Sequence, residues 1–84
     1  MSRFDKLIER IYSLDKGLRF DELKKVLESF GYTMSQPKGG SSHYVFRKSG
    51  KAAITIPKHE PIKTCYVRIV KNAIMQETED DSNG

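Results

Sequence analysis

The sequence predicts a small α+β domain in the order ααβββα, with helices packed on one face of a three-stranded antiparallel sheet. Three observations carry this prediction. Apolar residues recur at helical spacing in two stretches before Gly31. The period then falls to two residues between Tyr32 and Pro57, as in strands with one buried face. A helical stripe returns after Lys63.

The first stretch, "SRFDKLIERIYSL", places Phe4, Leu7, Ile8, Ile11 and Tyr12 on one helical face, with Ser2 and Asp5 spaced as a capping box and Gly17 soon after the end to ease a reversal. The second, "FDELKKVLESFG", repeats the pattern through Phe20, Leu23, Val26, Leu27 and Phe30. It ends at Gly31, a residue suited to a left-handed C-cap, whereas Arg19 stands where a Ser or Thr cap is expected. Three short strands follow. Tyr32 and Met34 alternate with Thr33 and Ser35; Tyr44 and Phe46 alternate with His43, Val45 and Arg47; Ile54 and Ile56 alternate with Ala53 and Thr55. "KSGK" joins the last two strands, with Gly50 available for positive φ, and Pro57 ends the third. If Tyr44, Phe46, Ile54 and Ile56 face the helices, His43 faces away from the core. The closing helix from Lys63 to about Met75 offers Tyr66, Val67, Ile69, Val70, Ala73 and Ile74 as its apolar stripe, and Cys65 is expected on that side as a small core residue.

Composition fits a soluble globular domain: 84 residues, 37% hydrophobic and 31% charged, with four Phe and four Tyr. One domain of this size buries only about 60% of its unfolded surface, so folding on a partner is plausible. A single cysteine excludes an internal disulfide, and no apolar run approaches the roughly 20 residues needed to span a bilayer. No secretory h-region follows Met1, which predicts a cytoplasmic protein without membrane association. Charge is uneven. Residues 38–75 carry eight Lys and Arg against Glu60 alone, and the segment 76–84 is acidic. The basic block suits a phosphate backbone or an acidic protein surface, or is simply a solvated cationic face. The acidic segment is expected to be a disordered tail, able to fold back on the basic face.

Chemistry centres on the histidines, because no other side-chain type present here has its ordinary titration range near neutrality. His43 follows Gly39, Gly40, Ser41 and Ser42, small residues that let an anion approach the backbone; His59 follows Pro57 and Lys58 directly after the third strand. Antiparallel pairing of 42–47 with 52–57 brings both histidines and Lys58 to one sheet edge. Such a cluster suits RNA cleavage without a metal or other cofactor: one imidazole takes the 2′-hydroxyl proton, an acid protonates the leaving oxygen, and cations stabilise the phosphorane. Alternatively His43 caps a loop and His59 is a solvated loop residue. Two histidines and one cysteine lack zinc-site spacing, and "GG" without a following Lys and helix is not a nucleotide-binding phosphate loop. Ser41 or Ser42 beside His43 makes a poor nucleophile and base pair, because neighbours in a strand point to opposite faces.

"FDELKKVLESFGY", "GGSSHYVFRK", "ITIPKHEPIK" and a closing helix, in that order over about residues 20–74, resemble the HicA family of toxin–antitoxin mRNA interferases. The resemblance implies a double-stranded-RNA-binding-domain-like fold, metal-independent endoribonuclease activity on mRNA, and inhibition by a HicB-type antitoxin in a type II system. It places the family's catalytic histidine on His43 and the histidine of the "IPKH" feature on His59. On this reading residues 1–75 are a single HicA-like domain with 1–17 as an additional N-terminal helix, monomeric when free and without direct action on DNA. His43 is the general base or acid, His59 the candidate second group, and Lys58 stabilises transition-state charge. Gly40 and Ser42 shape the loop, and Lys38, Arg47, Lys48, Lys51 and Lys58 hold RNA phosphates. The alternatives are a non-catalytic RNA-binding module of the same fold and a basic protein-interaction domain.

Overall fold

The computed structural model describes residues 3–35 and 43–83, with side chains as far as Glu77. Its elements run α1 (Arg3–Tyr12), α2 (Phe20–Ser29), β1 (Thr33–Ser35), β2 (His43–Arg47), β3 (Ile54–Pro57) and α3 (Thr64–Asn83). The sheet is antiparallel in the order β1-β2-β3. Register aligns Met34 with Phe46 on one side of β2, and on the other pairs His43 with Pro57, Tyr44 with Ile56, Val45 with Thr55 and Phe46 with Ile54.

The expected alternation holds. Phe46, Ile54 and Ile56 are buried beneath the helices, while His43, Arg47 and Thr55 are exposed on the open face. Leu7 and Ile11 of α1, Leu23, Val26 and Leu27 of α2, and Val67, Val70 and Ile74 of α3 complete one shared core. From α2 onward the order αβββα is that of a double-stranded-RNA-binding domain, and α1 stands before it.

The helix ends are set locally and from a distance. Gly31 takes φ +95°, its N–H donates to the Glu28 carbonyl, and Tyr32 N–H donates to the Leu27 carbonyl, both at 3.1 Å. This paired closure is a Schellman motif. At the start of α2, Arg19 has no side-chain acceptor, so one half of a capping box forms: its N–H donates to Glu22 Oε1 at 2.9 Å. Glu60, forty residues away, accepts the Phe20 N–H at 3.1 Å.

Several expectations are corrected. The reversal after α1 includes the expected turn at Gly17, whose N–H donates to Asp15 Oδ1 at 2.6 Å, but it begins earlier, with Leu14 at φ 56°. Cys65 is exposed, not core, and Ile69 is 44% exposed. These two residues share one side of α3, four apart, whereas the buried stripe runs through Val67, Val70 and Ile74. The segment after Met75 does not begin as a free tail. α3 continues to Asn83, and Glu77 is buried one turn beyond Ile74, with Oε1 2.8 Å from Lys48 Nζ. Ser2 of the expected α1 capping box, Lys38, and the loop residues Gly39, Gly40, Ser41 and Ser42 lie outside the described residues.

Candidate active site

His43 opens β2, and the inward turn of its neighbours fixes which way it faces. Tyr44 and Phe46 pack on Phe20 of α2, with ring centroids 5.0 and 6.1 Å from it. Period-two alternation therefore leaves His43 on the solvent side. Its register partner is Pro57, the last residue of β3, and Lys58 and His59 follow at once. Lys58 Nζ sits 5.9 Å from the Phe20 ring centroid, a cation–π contact that ties this segment to the start of α2. Glu60 reinforces the tie through Phe20 N–H and through Arg19 Nε at 3.5 Å.

The result is a cleft of about 520 Å³ lined by His43, Pro57, Lys58, His59, Lys63 and Tyr66. The three residues expected to meet at the sheet edge do meet there. Lys63 and Tyr66 were not anticipated as cleft residues. Lys63 precedes α3 and Tyr66 lies in its first turn, three residues on; that helical spacing was the available signal. Tyr66 N–H and Val67 N–H both donate to the Lys63 carbonyl, at 3.0 and 3.2 Å, which fixes the turn.

The other expected RNA contacts are dispersed. Arg47 is exposed on the same open face as His43 at the far end of β2, about 13 Å along the strand. Lys51 lines a separate shallow depression with Tyr32, Ile69 and Asn72. Lys48 Nζ bonds the Phe30 carbonyl at 2.7 Å, pairs with Glu77, and lies 5.9 Å from the Tyr32 ring centroid, so it is held by internal partners. Lys38, Gly40 and Ser42 are among the residues not described. Among the described residues no three His, Cys, Asp or Glu side chains converge as metal ligands, and no helix is long and apolar enough to cross a membrane.

Residues 20–76, about two thirds of the chain, match the family model described as HicA toxin of bacterial toxin–antitoxin. The chain belongs to the HicA toxin family. As a HicA toxin it is the toxin of a toxin–antitoxin system, in a family of nuclease toxins. The matched segment contains every residue lining the His43 cleft and leaves α1 outside. No match to the chain was found among curated proteins or among solved structures.

Proposed function

We propose that this HicA toxin is an mRNA endoribonuclease whose proton transfers are made in the cleft headed by His43. The observation that carries the reading is the convergence of two imidazoles and two lysines from β2, the β3 exit and the α3 entry around one cavity. RNA supplies its own nucleophile. One imidazole accepts the 2′-hydroxyl proton, the 2′-oxygen attacks the adjacent phosphorus, and the second imidazole protonates the departing 5′-oxygen. His43 and His59 fill these two roles, and Lys58 stabilises charge on the phosphorane; each acid–base contribution is worth on the order of 10²–10⁴-fold. Products carry a 2′,3′-cyclic phosphate and a 5′-hydroxyl, and no step calls on a metal.

The same cleft is what a HicB-type antitoxin would cover to silence the toxin in the cytoplasm. The test is RNA cleavage in EDTA by the wild type and by a folded His43→Ala variant. Expected are cleavage by the wild type, loss of at least a hundredfold in the variant, and no cleavage of RNA methylated on its 2′-oxygens. RNA binding without cleavage by the wild type would leave a non-catalytic RNA-binding module of the same fold.

A further inference from the structure

Acid–base chemistry at His43 uses one wall of the cleft and leaves the other unexplained. That second wall is Tyr66, with Lys63 beside it. Phosphate binding uses cations and hydrogen-bond donors, the Tyr66 hydroxyl among them, but it makes no use of the face of the Tyr66 ring. Tyr66 is half-buried and packed against the core, so its ring is held in place before any ligand arrives. Lys63 is fixed to it through the first turn of α3. Among the described residues that line the cleft, none is acidic. The volume of about 520 Å³ falls in the range of about 300–1,000 Å³ typical of small-ligand sites.

A pre-positioned aromatic surface flanked by cations is the arrangement that takes an unpaired base, because every base offers a π-face and its phosphate lies within reach of the cations. We propose that Tyr66 is the stacking platform for one unpaired nucleobase beside the scissile phosphate, with Lys63 holding the phosphate of that nucleotide. The cleft then takes single-stranded RNA and rejects a duplex, although the fold resembles a double-stranded-RNA-binding domain. A base inside a helix has both faces covered by its neighbours and reaches Tyr66 only after unstacking, which costs a few kcal/mol. The proposal rests on the reading that this cleft binds RNA; it does not need the bond to be cut.

The test is binding of a short single-stranded RNA containing 2-aminopurine, and of its duplex, to full-length His43→Ala protein, in which cleavage does not intervene. Tyr66→Leu keeps an apolar side chain against the core and removes the ring; Tyr66→Phe keeps the ring. Circular dichroism and thermal melting check the fold of each. Expected for the parent are 2-aminopurine quenching on binding and weaker affinity for the duplex. Tyr66→Leu should weaken single-strand binding about ten- to hundredfold and abolish the quenching. Tyr66→Phe should retain both, and Lys63→Gln should weaken binding and flatten its salt dependence. Single-strand binding by Tyr66→Leu within twofold of the parent, or duplex binding as tight as single-strand binding, overturns the proposal. A wild type that binds with this Tyr66 dependence yet never cuts overturns the catalytic reading alone and supports the base platform. Absence of any RNA binding overturns both.

Discussion

A lysine holds a phosphate only if its ammonium is not already committed, and that of Lys48 is. It donates to the Phe30 carbonyl that ends α2 and pairs with buried Glu77 of α3, so one side chain from the end of β2 joins two helices. Removing it leaves a carboxylate that is 11% exposed without its cation. Lys48→Met should therefore destabilise the fold by about 1–3 kcal/mol, and a double-mutant cycle with Glu77→Gln should show positive coupling. Chemical denaturation of the four proteins measures it, and additive effects would remove the tie. The sequence offers an acidic segment able to fold back on the basic block, but not which residues meet; the pairing of Lys48 with Glu77, 29 residues away, is set by the continuation of α3. Tyr32 lies beside the same pair. Burial first, then the Glu77 charge, raises its phenol pKa above 10.0, with Lys48 and Lys51 opposing. A pKa raised in the folded state means the native protein holds this proton more tightly than the unfolded chain. The contribution of Tyr32 is thus intact below pH 10 and lost as pH rises further. Urea midpoints from pH 8 to 11 should fall more steeply for the wild type than for Tyr32→Phe.

The elements most legible in the sequence are those whose signals are local. Helical period, the stop at Gly31, the turn at Gly50 and the strand alternation all act within a few residues, and each appears where the pattern places it, except that Tyr12, expected on the apolar face of α1, is 39% exposed at the helix end. The meeting of His43 with Lys58 and His59 was also legible, because antiparallel pairing alone brings the start of one strand beside the end of the next. What escaped was phase and distance. The apolar positions of α3 spread widely enough to admit Cys65 and Ile69, and only packing against α1, α2 and β3 decides that Val67, Val70 and Ile74 face in. The cap that Arg19 lacks is supplied by Glu60, whose position one residue past His59 links the start of α2 to the cleft. Gly31 tests this level directly. An added Cβ there would meet Lys48 Cε at 3.4 Å, whereas one at Gly50, φ +79°, would meet nothing within 4 Å. Both Gly→Ala changes incur the left-handed penalty of roughly 1–2 kcal/mol. The contact at Gly31 is an ordinary van der Waals distance, so Gly31→Ala and Gly50→Ala should cost about the same in thermal melts, and a Gly31→Ala loss well beyond that of Gly50→Ala would mean that Lys48 cannot give way.

At the scale of the molecule, charge and shape divide the work. Leu7 and Ile11 of α1 feed the shared core, and Arg10 bonds Glu22 at 2.7 Å and Asp15 at 3.1 Å, so the helix outside the matched family segment is built into the fold. The cationic block between Lys38 and Lys71 lies in the other half of the chain, but its members are not equivalent. Lys58 and Lys63 line the cleft, Arg47 stands on the open sheet face, and Lys48 is turned to internal partners. RNA binding driven by phosphate neutralisation releases counterions, so log affinity should fall linearly with log salt, by about 0.7 for each phosphate contact to a single strand. Lys58→Gln and Lys63→Gln should each lower the slope by about that amount. Lys48→Met should leave the slope unchanged while lowering stability, which separates the cations that meet RNA from the one that holds the fold. Binding measured between 50 and about 200 mM salt reads both quantities. A slope that drops equally for all three variants would mean that the whole basic half attracts RNA as a diffuse field. A flat response in the parent would remove phosphate contact as the basis of recognition.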